Sequence, residues 1–201
     1  GAGYDDGKYI LQYGRGRQSW SLGNELDLVI SDDAPPFDYG MFGVNLSNIN
    51  FRYFHGYLGK EDDYNRYIVG KGLEWSNKKS LIFSFSEILI YSGKNRSLDL
   101  SYLNPISSHL EIELNDRQNY GDIDNGNAIW QLSMDFLHNK NIRFSSNFII
   151  DELIFDRIEI DSGKVNNIAW SNRISIYSKT KFGSQSLFIA HKYVGENTFR
   201  P

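Results

Sequence analysis

The chain contains no cysteine, two methionines and four prolines in 201 residues. Without thiols there is no disulfide framework, no thiol nucleophile and no cysteine-held zinc. No apolar run approaches the roughly 18 to 20 residues of a membrane-crossing helix. That excludes a helical span but not a membrane β-barrel, whose strands alternate and score poorly on hydropathy. Charge of neither sign accumulates: 21 Lys and Arg are interspersed with 25 Asp and Glu, so a nucleic-acid partner is not expected. No Gly-x-Ser-x-Gly, P-loop, dinucleotide or zinc-protease motif occurs, and no two of His55, His109, His138 and His191 have metal-ligand spacing. No cofactor or metal is expected.

Aromatic residues are abundant, with 13 Tyr, 13 Phe and 4 Trp. Beside many Ser and Asn they point to an all-β protein and suit barrel rims or carbohydrate platforms. Alternation with period two runs through most of the chain. In "INFRYFHGYL" Ile49, Phe51, Tyr53, His55 and Tyr57 share a face. "RYIVGKGLEW" alternates on Tyr67, Val69, Leu73 and Trp75. "NAIWQLSMDFLH" sets Trp130, Leu132, Met134 and Phe136 against Gln131, Ser133 and Asp135. "IRFSSNFII" sets Phe144 and Phe148 against Arg143, Ser145 and Asn147. "ELDLVIS", "SLDLSYL" and "HLEIELN" also read as short strands.

The tally is ten to eleven strands in one domain, residues 1–201. Short breaks such as "HNKN" and "KTKFGSQ" alternate imperfectly with longer ones such as "SDDAPPFDYG", "GKEDDYN" and "DRIEIDSGKVNN". This suggests antiparallel hairpins with unequal ends. A soluble sandwich and a membrane barrel give the same alternation, with the apolar face turned inward or outward respectively. The polar strand faces are rich in groups that pair laterally and poor in Lys, which favours a polar lumen. The long run "SLIFSFSEILIYSG" also favours the barrel, since spanning strands exceed the usual globular length.

The order of several motifs resembles the outer-membrane capsule-assembly family typified by Wzi, and related gliding-motility barrels. "LQYGRGRQSWSLGNELDLVISDDAPPFD" is similar to that family's Gly-Arg entry segment and its Ser-Asp/Asn-x-Ala-x-Pro turn. "YIVGKGLEWS" looks like its His/Lys-x-Leu-Glu strand. "FSFSEILIYSGKNRSLDLSYLNP" looks like its Ser-Glu-x-x-Ile-Tyr-Gly-Gly strand with a Tyr-Leu-Asn-Pro turn after it, and "DNGNAIWQLSMDF" and "FIIDEL" look like its Asn-initiated strand and the Ile-Asp-Asp/Glu strand end that follow. The resemblance implies an antiparallel up-and-down β-barrel of the bacterial outer membrane, lectin-like and non-catalytic. Its implied partners are surface polysaccharide and outer-membrane lipid. Known members are longer, so this chain is expected to be a fragment from the middle of a barrel, with closure not implied.

The candidates for polysaccharide binding or lumen pairing are Arg15, Arg17, Trp20, Glu87, Asn127, Arg143, Asp151 and Glu152. Arg15, Arg17 and Trp20 in "GRGRQSW" combine guanidinium groups with an aromatic face, and equally suit a rim anchor. Unbroken alternation places Glu87 with Leu81, Phe83 and Phe85. A β-bulge near Ser86–Glu87 would instead turn it to a polar partner. A catalytic role would need a second carboxylate, for which Asp151 or Glu152 is available. That is the alternative reading: a soluble β-sandwich or jelly roll that binds or hydrolyses carbohydrate. "GDIDNGN" lacks the Gly and Glu of an EF-hand loop and reads as a turn that leads into Asn127.

Overall fold

The computed structural model describes residues 1–20, 22, 27–115, 126–152, 167–196 and 198, with Leu114 and Glu152 described by their backbone alone. Ten strands form: β1 (Ala2–Asp5), β2 (Tyr9–Gly16), β3 (Phe37–Leu46), β4 (Ile49–Glu61), β5 (Tyr64–Ser76), β6 (Leu81–Lys94), β7 (Gly126–His138), β8 (Ile142–Glu152), β9 (Asn167–Thr180) and β10 (Gly183–Val194). They hydrogen-bond in chain order as one antiparallel, up-and-down sheet. Among the described residues β1 and β10 do not pair with each other. The all-β expectation holds, as an open ladder.

Connections alternate between the two ends of the strands. One end carries residues 6–8, 47–48, 77–80, 139–141 and 181–182; the other carries 17–36, 62–63, 95–125 and 153–166. The short turns are built by residues that accept a left-handed backbone, including Ser47, Lys78, Asn139 and Lys140, each at positive φ. The break expected at "GKEDDYN" shrinks to two residues, with Asp62 at φ 51°.

Three expected strands take other forms. Residues 27–31 of "ELDLVIS" are not a strand, because the adjacent Leu28 and Val29 both pack against Ile129, Ile149 and Ala169. A strand would turn neighbouring residues to opposite faces. "SLDLSYL" ends in a 3₁₀ turn, Leu100–Leu103, capped by the Asp99 carboxylate on the Ser101 N–H. "HLEIELN" forms helix α1 (His109–Leu114), started by Ser108, whose Oγ accepts from the Glu111 N–H.

By compactness the chain divides into two units. The first comprises residues 1–18, 32–73 and 86–128; the second comprises 19–31, 74–85 and 129–201. The core of the first unit is aromatic: Tyr53, Tyr67, Val69, Leu89, Tyr91, Tyr102 and Ile112, with Phe51 and Ala128 against it. Two glycines set how closely its strands pack. The Phe37 ring lies where a Gly56 side chain would start, 2.6 Å from that Cβ position, and Phe54 covers Gly70 in the same way. Each glycine gives up its own side-chain volume so that a ring can lie flat on the neighbouring strand. In the second unit Ile129, Ile149 and Ala169 form the small apolar centre.

Candidate functional site

In the first unit the segment after β6 folds back over the sheet. Arg96 and Asp99 form a fully buried ion pair at 3.1 Å. The Arg96 guanidinium also donates to the Ser92 carbonyl and lies 4.6 Å from the Tyr91 ring centre. Its own carbonyl accepts from Asn65 and from the Tyr67 hydroxyl. This knot places the 3₁₀ turn and α1 over Tyr53, Tyr67 and Tyr91. Tyr67, Tyr91 and Tyr102 stack in sequence, each step 5.0 Å between ring centres.

Beneath that stack the hydroxyls and His55 form a relay whose direction can be derived. The Tyr53 hydroxyl donates to the Tyr102 carbonyl at 2.8 Å, so its oxygen meets His55 Nδ1, 3.3 Å away, as an acceptor. His55 therefore carries its proton on Nδ1, and Nε2 accepts from the Tyr91 hydroxyl at 2.7 Å. The Tyr91 oxygen in turn accepts the Asp99 N–H at 3.1 Å. Each proton is used once, and the sheet is tied to the covering segment at both ends.

Glu87 is 3% exposed. Lys71 Nζ lies 2.7 Å from its Oε2, and the His109 N–H donates to both carboxylate oxygens at 3.1 and 3.2 Å. Lys71 also donates to the Ser107 carbonyl. The acid thus anchors the start of α1. The expected polar partner is present, as a lysine and a backbone amide. Phe83 and Phe85 on the same strand are exposed. The start of α1 lies against Glu87, whose carboxylate takes the His109 amide.

Beside the covering segment lies a cavity of about 820 Å³, lined by Tyr4, Leu11, Tyr13, Tyr53, His55, Tyr57 and Leu103 among others. At its edge Arg15 on β2 pairs with Asp38 on β3 at 3.1 Å, both side chains more than half exposed. Arg17 is exposed just beyond β2, and Asn127 is exposed near the start of β7.

The second unit shows an inverted distribution. Gln131, Ser133 and Asp135 on β7, Ser145 and Asn147 on β8 and Ser171 on β9 are all buried. Register aligns them in rows, Ser133 opposite Asn147 and Asn147 opposite Ser171. Arg143 clamps Asp135 with Nε at 2.8 and 3.0 Å, and Ser145 donates to the same carboxylate. Gln131 donates to Ser133 and Asn147. On the opposite face register aligns Leu132, Phe148 and Trp170, and then Phe136, Phe144 and Ile174. Leu132 is 48% exposed and Ile174 49%.

The remaining candidates fall as follows. Trp20 belongs to the second unit and is buried, with its backbone N–H on the Ile30 carbonyl, so it offers no open ring face. Asp151 occupies the β-bulge where Ile150 faces Ile168 and Glu152 faces Asn167. Asp122 and Asp124, the carboxylates of "GDIDNGN", lie outside the described residues. Among the described residues no three His, Asp or Glu side chains converge as a metal would require.

Sequence reasoning missed Lys71 and the Arg96–Asp99 pair. The signal for the covering helix is present in "SHLE", a Ser-x-x-Glu start at Ser108. Set against known proteins, the chain matches no family model, no curated protein and no solved structure.

Proposed function

We propose that this chain is a wall segment of a bacterial outer-membrane β-barrel that serves the assembly or attachment of surface polysaccharide, without catalysis. The observation that carries the reading is the inverted second unit. Gln131, Ser133, Asp135, Ser145, Asn147 and Ser171 are buried, while Leu132, Phe136, Ile174 and Ile176 stand in the open. In water the apolar row would be the core, because each side chain of this size gains about 1.5 to 3 kcal/mol on burial. A bilayer reverses the preference, and an apolar face outside a polar lumen is what a membrane barrel requires.

Two further features agree. Five connections of two to four residues share one end of the strands, while the long 17–36, 95–125 and 153–166 share the other with the two-residue 62–63, an asymmetry of the kind outer-membrane barrels have. The oxygens of Glu87 are engaged by Lys71 and the His109 amide, the arrangement of an anchor rather than a general acid. The polysaccharide role rests on the ordered motifs from Leu11 to Glu152 and on the tyrosine-lined cavity.

The test places the full-length protein in vesicles of brominated phosphatidylcholine. Emission from Trp130 and Trp170 should be quenched by the acyl chains, and emission from Trp20 should not. Quenching of Trp20 alone would sink the membrane reading. Deletion of the gene should release capsule from the cell surface into the medium; unchanged retention would count against the polysaccharide role.

A further inference from the structure

We infer that the outward face of β8, β9 and β10 is the contact between two copies of this chain in the bilayer; this rests on the membrane reading above. Register arranges that face in rows. Ile150 with Ile168 and Phe148 with Trp170 stand on one side of a middle row. Phe144 with Ile174 and Ile142 with Ile176 stand on the other. The middle row is polar: Ser146 on β8 lies opposite Asn172 on β9, which lies opposite His191 on β10. From Ile142 to Ile150 the strand runs about 26 Å at about 3.3 Å per residue, close to the roughly 25 Å apolar band of a membrane barrel. The polar row therefore sits at mid-depth.

Polar groups at that depth are costly unless they are paired. Ser146 donates to Asn172 Oδ1 at 2.8 Å, which occupies the amide oxygen. Among the described residues the Asn172 amide nitrogen and both ring nitrogens of His191 have no partner. A neutral imidazole offers one donor and one acceptor. Turning the two side chains onto each other would still strand one amide proton and one ring nitrogen in hydrocarbon.

A second copy supplies what is missing, because it brings the same row to the same depth. A two-fold axis along the membrane normal, placed between β9 and β10, sets Asn172 against the partner's His191 and His191 against the partner's Asn172. Two hydrogen bonds form, each amide donating to an imidazole nitrogen. A different protein would have to present a matched donor and acceptor at that depth; this chain already carries both. The flanking rows are open to the same contact, with Ile174 49% exposed and Ile189 75%. They supply packing, and the polar row fixes the register.

The experiment places the full-length protein in phosphatidylcholine vesicles and follows energy transfer between donor-labelled and acceptor-labelled copies. The label is carried on Lys181→Cys in the turn between β9 and β10, the chain having no cysteine of its own. Transfer should fall as lipid dilutes the protein. Asn172→Leu and His191→Leu should each weaken association about tenfold, since either change removes both hydrogen bonds of the symmetric pair. Mixing the two single variants should restore transfer, because the hybrid keeps one Asn172–His191 bond and sets leucine against leucine at the other. Wild-type association in both variants, or no recovery on mixing, overturns the pairing. Quenching of Trp130 by brominated acyl chains reports insertion of each protein. If Trp130 is quenched and the wild type shows no transfer at any density, the inference falls and the membrane reading stands. If Trp130 is not quenched, both fall.

Discussion

Lys71 Nζ lies 2.7 Å from Glu87 Oε2 with both side chains withdrawn from solvent, and the same carboxylate receives the first amide of α1. One pair therefore joins β5, β6 and the segment that covers them.

Removing one partner leaves the other charge buried and unmatched, which costs about 3–5 kcal/mol. Glu87→Leu is expected to fall in that range, while Lys71→Met with Glu87→Leu should recover most of the loss. Urea unfolding gives the totals. Hydrogen exchange at residues 107–112 should rise in the single variant before the strands open. Equal stability of wild type and single variant would refute the anchoring role.

Asp99 has two tasks, the ion pair with Arg96 and the cap on the 3₁₀ turn. Asp99→Asn keeps an oxygen for the Ser101 N–H but loses the charge; Asp99→Ala loses both. The alanine variant should be the less stable by about 1 kcal/mol, the usual worth of a cap. Thermal melts of the two variants check the order.

At Gly70 the Phe54 ring already occupies the side-chain position. Gly70→Ala should cost about 1–3 kcal/mol through overpacking. Phe54→Leu in the same chain should offset part of it. A double-mutant cycle with no coupling between the two sites would disprove the contact.

The two faces of the second unit should respond unequally to substitution. Leu132→Arg should destabilise the protein in a bilayer by up to about 2–4 kcal/mol, depending on depth. Ser133→Ala, on the buried polar face, should lose only about 1 kcal/mol from its hydrogen bond. Folding titrations in lipid vesicles measure both, and a harmless Leu132→Arg would place that face in water.

The strand pattern is legible in the sequence because alternation records which residues share a face. Gln131, Ser133 and Asp135 separate from Trp130, Leu132 and Phe136 as expected. The site is less legible. Leu110, Ile112 and Leu114 alternate with glutamates as a strand would, yet six residues are too few to tell that pattern from a turn of helix. Only the Ser108 cap distinguishes the two. Lys71 falls within the His/Lys-x-Leu-Glu motif, but its role is not legible, since its partner is sixteen positions away and appears only once β5 and β6 pair. Glu87 stands out by its apolar neighbours, but alternation cannot reveal what covers a face.

The division of the chain has a consequence for its synthesis. The two units exchange the chain five times, at residues 18, 31, 73, 85 and 128, so no single cut separates them. Leu28 and Val29 find Ile129, Ile149 and Ala169 only roughly 100 to 140 residues further along the chain. Until then their apolar surface lacks its native cover. Pairings so distant along the chain slow assembly and leave strand edges open to aggregation while it proceeds.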